Sequence, residues 1–360
     1  MAGQALSLFT DFFTHETGPA YITGPDDVIN DAQLRNFASL SAFFSAKKEV
    51  QGGSQIKDVI LLDDPLTADS YLPGEKASVS NIQGATTLTA NWRFVRVPVT
   101  WNEQEVLLNE GGGENAMFQQ FKKVKMFKYT QAYTSLFNKL ERFMTVSANN
   151  ANMEAATGSD PYSLFAFVTS DGLAPSGFTN VLGITPSSKS AWQNQNATYT
   201  ASTPFDTDNG IIAGFDTISQ LVVFSRPPSH QEYFDDDNFR RMVIFTNREG
   251  RRDYMKAIRA NNDITRAGPQ DPSYGNPVFL NIPVVNNEGM DDASSFTAGS
   301  PDYVFLNMSH IKLIFHRQKF LQMGQPQVFP DQPDTIVVWC DSYLNLVCVS
   351  RKRQGYLSAA

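Results

Sequence analysis

Tyr303-Val-Phe-Leu-Asn307, Ile311-Lys-Leu-Ile-Phe315, Thr335-Ile-Val-Val-Trp-Cys340 and Leu344-Asn-Leu-Val-Cys-Val-Ser-Arg-Lys-Arg-Gln-Gly-Tyr-Leu357 close the chain. Runs rich in β-branched and aromatic residues, separated by short polar turns, predict strands. The block ends in a basic stretch, Arg351-Lys352-Arg353, followed by Gln354-Gly355. It describes an architecture rather than an active site, and what precedes it decides which one.

Working back along the chain, the clearest helix runs from about Glu114 to Val146. Met117, Phe121, Val124, Phe127, Tyr133, Leu136, Phe137, Leu140, Phe143 and Met144 recur near the helical period, and no Gly or Pro intrudes. Such a helix is roughly 50 Å long, far beyond an average globular helix. Its other face carries Lys122, Lys123, Lys125, Lys128, Lys139 and Arg142, which fits a solvated face, a patch toward nucleic acid, or contact with an acidic neighbour. Gly111-Gly112-Gly113 before it is a break. No Gly-Lys-Ser/Thr follows, so a phosphate-cradling loop is not indicated.

A long strand signal covers Thr86 to Trp101. Leu88, Ala90, Trp92 and Phe94 share one parity, whereas Val95, Val97, Val99 and Trp101 take the other. A flip of this kind requires a bulge, a strong twist or different partners along the strand. Both a hairpin projecting beyond one subunit and a sandwich edge with a bulge satisfy it. Further upstream, Phe9, Phe12, Phe13 and Tyr21 are strung through Gly/Pro-interrupted sequence, and a short amphipathic helix continues through Leu34, Phe37, Leu40 and Phe44. An arm of this composition lies along another surface, its own domain or a neighbouring subunit.

Between helix and closing block, Leu164–Val168, Leu221–Phe224 and Met242–Phe245 read as buried strands. Ser229–Glu232 and Thr246–Glu249 have capping-box spacing and predict helix starts. Residues 170–215, rich in Gly, Ser, Thr, Asn and Pro, read as an extended surface excursion. The whole is mixed α+β.

Catalytic and metal patterns are absent from the sequence. The four histidines, His15, His230, His310 and His316, are scattered, and Asp235-Asp236-Asp237 lacks the spacing of a calcium loop. Cys340 and Cys348 sit in apolar runs and read as small buried hydrophobes. Neither a cofactor nor an enzymatic activity is expected. The formal net charge of −8 disfavours a free-standing nucleic-acid binder, so contact with nucleic acid must be local. Basic concentrations do occur at Arg248, Arg251, Arg252, Lys256, Arg259 and Arg266, and again at Arg351–Arg353. No apolar run approaches the ~20 residues that cross a bilayer, and no membrane contact is expected.

The order of parts, namely aromatic arm, long hairpin, Gly-bounded spine helix, mixed α/β region and strand-rich return, resembles the major capsid proteins of tailed bacteriophages with the HK97-like fold. The closing strands and basic Gln-Gly stretch are similar to that family's C-terminus. The resemblance implies an N-terminal arm (1–50), an extended β-hairpin loop over an adjacent subunit (51–112) and a spine helix with peripheral domain (113–159). It further implies an axial domain (160–307) and C-terminal strands returning to the peripheral domain (308–360). The implied function is self-assembly into hexamers and pentamers of an icosahedral shell around double-stranded DNA, held by non-specific contact. The location would be the virion capsid, assembled in the host cytoplasm.

Phe12, Phe13, Lys76, Trp92, Phe94, Trp101, Arg351 and Arg353 are then candidate assembly contacts, and Lys122, Lys123, Lys125 and Lys128 a basic face toward DNA. Because the sequence opens at Met1 directly with the arm, a separate scaffolding protein is implied, with a portal and a decoration protein as further partners. Some relatives join subunits by a lysine-asparagine isopeptide bond. Lys57, Lys76 and Asn345 are residues of the right type, without a matching catalytic acid. Two other readings stand beside the capsid: an encapsulin-like protein compartment, and a β-rich carbohydrate-binding or hydrolytic domain.

Overall fold

The structure, a computed structural model, describes residues 38–62, 84–102, 114–200, 208–222, 242–261, 277–280, 282–291 and 302–359, with only the backbone described at 114–126, 259–261 and 333. In chain order the elements begin with α1 (Ala38–Ser45), β1 (Lys47–Val50), β2 (Ile56–Leu61), β3 (Ala85–Ala90), β4 (Arg93–Asn102), α2 (Glu114–Thr145), α3 (Asn150–Met153) and α4 (Leu164–Phe167). Next come β5 (Gln195–Tyr199), α5 (Ile211–Val222), β6 (Met242–Thr246), α6 (Arg248–Asn261), β7 (Val278–Phe279), β8 (Ile282–Asn286) and α7 (Glu288–Asp291). The chain closes with β9 (Tyr303–Asn307), β10 (Ile311–His316), β11 (Gln322–Met323), β12 (Gln327–Phe329), β13 (Gln332–Cys348) and β14 (Gly355–Ala359).

The described chain divides into two compact units, one of residues 96–136 and 321–341, the other of 38–95, 137–320 and 342–359. In the first, β11 and β12 pair antiparallel with β13 (Met323↔Cys340, Gln327↔Val337), and β4 also pairs with β13. Alternation along β4 turns Val99 and Trp101 inward, where they pack with Ala132 of α2 and Val338 of β13. The outward face carries Arg96, whose Nε lies 2.7 Å from Asp341 Oδ1 and whose guanidinium stands 4.8 Å from the Trp339 ring.

The second unit contains the hairpin β2–β3, in register from Ile56↔Ala90 to Leu61↔Ala85. Its root is fixed to the 181–184 turn, because Thr89 N donates to Leu182 O at 3.0 Å. Gly183 adopts φ +80 there, and a Cβ would stand 2.6 Å from Thr89 Oγ1, so only glycine fits. In the same unit β1 runs parallel to β10 (Lys47↔Leu313), and β10 pairs antiparallel with the end of β13 (Ile311↔Cys348). A separate six-stranded sheet has the order β5-β14-β9-β6-β8-β7. Helix α5 packs on it, with Phe215 stacked on Tyr254 at 4.8 Å and edge-on to Phe279, Tyr303 and Phe305.

The spine helix expected from about Glu114 to Val146 is present as α2, whose 32 residues span about 48 Å. Its Glu141 is buried and caps another helix: the carboxylate accepts from Ser39 N at 3.0 Å and Leu40 N at 2.7 Å, the open N-terminus of α1. Burial raises the Glu141 pKa, opposed by those bonds. Seating the carboxylate holds the short α1 against α2.

Several expectations need correction. The strand signal from Thr86 to Trp101 is two strands, β3 paired with β2 and β4 with β13, broken at Asn91-Trp92. The parity flip marks that change of partner. Leu164–Phe167, expected as a strand, is a single buried helical turn. A four-residue apolar run carries no period that separates the two. Leu221 and Val222, also expected as strand, end helix α5, and positions 223–224 lie outside the described residues.

The expected surface excursion over 170–215 buries Phe178, Val181, Leu182, Ile184 and Trp192. The helix start at Thr246 belongs one residue later: Asn247 Oδ1 accepts from Gly250 N at 2.7 Å, while Thr246 Oγ1 donates to Asp302 O inside the sheet. The Ser229–Glu232 start lies outside the described residues. At the C-terminus, 332–348 is one strand of 17 residues. The last strand, β14, pairs with β5 and β9 and so belongs with the sheet of residues 195–307 rather than with 308–345.

Candidate assembly surfaces

Shell formation needs side chains that one subunit leaves uncovered, so the exposure of each candidate residue decides its role. Phe12, Phe13 and Lys76 lie outside the described residues. Lys122, Lys123 and Lys125 are on α2, with side chains outside the described set, and Lys128 on the same helix is half-buried.

Phe94 is 62% exposed although its ring meets Tyr343 edge-on at 4.6 Å. Trp92 is half-buried, donates from Nε1 to Gly53 O at 2.9 Å, and contacts His316, which in turn contacts Tyr343. Phe94, Tyr343, His316 and Trp92 thus form a continuous aromatic strip, and parity on β4 keeps Phe94 on the outer face. Trp101, one of the expected contacts, is instead 5% exposed and spent on the core with Val99, Ala132 and Val338. Its position on β4 is odd-numbered, the inward parity.

Arg351 requires the larger correction. It is fully buried, and its guanidinium donates to Phe167 O (2.8 Å), Trp192 O (3.1 Å), Leu173 O (2.8 Å) and Asn194 Oδ1 (3.2 Å). Desolvation pushes its pKa down to about 10, opposed by Cys348 and Asp171. Arg351 is a lock between the β13–β14 turn and segment 167–194, and its full burial keeps it from a partner subunit or DNA. Arg353, two residues on, is half-exposed and stays available.

Arg93 has the same function as Arg351 and gives no signal in the sequence. It is buried and donates to Gly158 O, Met153 O and, at 2.8 Å, Ala155 O, gathering the carbonyls behind α3. Asn345, the candidate isopeptide acceptor, is likewise consumed: its Oδ1 accepts from Tyr162 N at 2.9 Å and its Nδ2 donates to Asn91 O at 2.7 Å, with the residue fully buried. It is therefore not accessible to a lysine from another chain.

The surfaces missed by sequence reasoning are apolar. Val59 and Leu61 are 68% and 71% exposed on one face of β2, and Val328 is 60% exposed on β12. The run Val59-Ile60-Leu61-Leu62 held the signal, since uninterrupted apolar residues in a two-stranded hairpin must leave one face bare. Cys340 and Cys348 are free and buried. Among the described residues no cluster of three His, Cys, Asp or Glu side chains could hold a metal ion, and no helix is long and apolar enough to cross a membrane.

No protein-family model matches the sequence, and no curated protein matches it. Solved structures do match. The capsid asymmetric unit of cyanophage A-1(L) superposes with a TM-score of 0.59 at 13% identity, covering 94% of this chain and 97% of that one. The capsid of a native GTA particle gives 0.51 at 11% identity, covering 96% and 98%. The SrpI encapsulin of Synechococcus elongatus gives 0.50 at 8% identity, covering 93% and 91%. At such identities the shared property is the fold, over more than nine-tenths of each chain.

Proposed function

We propose that this chain, which has the HK97-like fold, is a major capsid protein that assembles into hexamers and pentamers of a closed icosahedral shell around double-stranded DNA. The observation that carries the reading is the two-way coverage above nine-tenths between this chain and shell subunits of cyanophage and GTA particles. Uncovered apolar side chains at Val59, Leu61, Phe94 and Val328 support it, because a monomer gains nothing by exposing them. A scaffolding protein, a portal, a decoration protein and assembly in the host cytoplasm follow as parts of the same proposal. Within it, the hairpin arm covers an adjacent subunit.

The encapsulin match keeps one further reading in play, a compartment enclosing protein cargo. Negative-stain microscopy of the chain expressed with its scaffold tests shell formation, and the nuclease-protected contents of particles purified from their source separate the two readings. Closed particles with protected DNA are expected. Particles holding protein and no nucleic acid favour the compartment, and a persistent monomer at every concentration, scaffold present, overturns both.

A further inference from the structure

The basic concentrations of the chain differ once their neighbours are compared. On α6, Arg252 Nε and Lys256 Nζ lie 3.4 Å and 3.2 Å from Asp253 Oδ1, so a carboxylate already accompanies them. On α2, the Lys139 ammonium stands 4.6 Å from the Phe143 ring. A further cluster among the described residues is built by two turns tied together. The turn between β9 and β10 ends at His310, whose carbonyl accepts from Val349 N at 2.7 Å. Gln354 closes the second turn onto the first: its Oε1 accepts from Asn307 N at 2.9 Å and its Nε2 donates to Asn307 O at 3.2 Å. With Arg351 anchored beneath, the backbone on which Arg353 stands is fixed.

This tie, with Lys312 of β10 paired to Val347 of β13, sets the backbones of His310, Lys312 and Arg353 on adjoining segments. The imidazole is partly buried and its pKa is lowered, first by desolvation and then by Arg353 and Lys312, so both cations bear on it. Among the described residues no carboxylate pairs with any of the three. Like charges held together by rigid turns, in a chain of net charge −8, create a local demand for an anion. Arg353 offers a guanidinium fork and Lys312 an ammonium, both of which suit phosphate oxygens.

We propose that His310, Lys312 and Arg353 form a phosphate-binding site for the backbone of duplex DNA, an inference that rests on the capsid reading for the source of the phosphate. The contact is independent of base sequence, and it strengthens on acidification as His310 gains a proton. The charged groups that bear on that proton are Lys312 from β10 and Arg353 from the second turn, with Lys352 exposed on the same turn.

The test measures binding of a labelled short duplex to the full-length chain across a salt series. Each phosphate neutralised adds about 0.9 to the logarithmic salt slope, so Lys312→Gln with Arg353→Gln should lower the slope by about 1.8. Affinity should rise as pH falls from about 8 to about 5, and rise less in His310→Gln. Arg252→Gln with Lys256→Gln should leave the slope unchanged, and thermal melting of each variant reports that it is folded. An unchanged slope in the Lys312/Arg353 variant overturns the site, as does absence of duplex binding. So does a slope lost instead on neutralising Lys122, Lys123, Lys125 and Lys128. Inorganic phosphate that raises the melting temperature without any duplex binding assigns a free-anion site and overturns the DNA assignment. Particle formation by microscopy is scored separately, so failure to form shells sinks the capsid reading while leaving the slope measurement intact.

Discussion

The hairpin β2–β3 and the sheet β5-β14-β9-β6-β8-β7 are built from similar strand residues, yet they dispose of their apolar side chains differently. Every residue of β6 and β9 is buried, and α5 covers the sheet so closely that a Cβ on Gly214 would meet Leu357 Cδ1 at 2.9 Å. In the hairpin, Ile56, Ile60, Leu88 and Ala90 are buried, but Val59 and Leu61 on the opposite face stand in solvent. Covering one such side chain is worth about 1.5–3 kcal/mol. The sheet realises that free energy inside one subunit, whereas the hairpin leaves it unrealised there. On the capsid proposal, the first region serves folding and the second is offered for assembly.

That distinction breaks most visibly at Arg351, which belongs to the folded region despite its charge. Arg351→Met keeps the length of the side chain, takes the guanidinium donor from the buried Phe167 O and Trp192 O, and leaves Leu173 O and Asn194 Oδ1 with only their bonds from Thr169. The expected loss is about 3–5 kcal/mol, read as a lowered denaturant midpoint or as insoluble protein. Arg351→Lys should recover only part of it, because an ammonium cannot reach four divergent acceptors. A variant as stable as wild type would remove the lock from the account of the fold.

A smaller effect comes from Asp302, buried beside β14, where Tyr356 Oη donates to its Oδ2 at 3.0 Å. Burial raises its pKa from 3.8 to about 6, against the bonds from Tyr356 and the Ala359 amide. The folded state therefore holds the proton more tightly than the unfolded one. The destabilisation by the charged form is fully present above pH 6 and gone below 3.8. Asp302→Asn, measured relative to wild type, should be most favourable near pH 8 and lose about 1–2 kcal/mol of that advantage by pH 5. A difference that does not change between pH 8 and pH 5 would show that burial does not raise the carboxyl's pKa and that it stays ionised in the folded sheet.

These residues also show where the fold was legible in the sequence and where it was not. Helix α2 was readable because a period sustained over 32 residues without Gly or Pro admits no other element. β9, β10 and β13 were readable from β-branched and aromatic runs. Helix α5 was not, since Gly210, Gly214 and the polar Thr217 and Ser219 imitate a loop, and Gly214 is there for its close approach to β14. Arg351 was misread because a basic run looks solvated, and its acceptors lie 157 to 184 residues away. Local sequence reports propensity and periodicity, whereas convergence of distant carbonyls on one guanidinium exists only after folding. For the same reason Arg353 was chosen for its charge alone, without His310 and Lys312.

The smallest effect on stability is expected where the effect on assembly should be decisive. Leu61 pairs with Ala85 and Ile60 with Thr86, one residue apart and on opposite faces of the same strand. Leu61→Asp, alone or with Val59→Asp, places charge on side chains that touch little within the subunit. The melting temperature should reflect a change within about 0.5 kcal/mol. Ile60→Asp inserts the same charge into the covered face, where an unpaired carboxylate destabilises the hairpin itself. If the exposed face meets a second subunit, Leu61→Asp should stay folded and fail to form particles, whereas Ile60→Asp should fail at the earlier step of folding. Normal particles from Leu61→Asp would mean that the bare face of the hairpin is not an assembly surface. The aromatic strip of Phe94 and Tyr343 would then be the next uncovered surface to test in the same way.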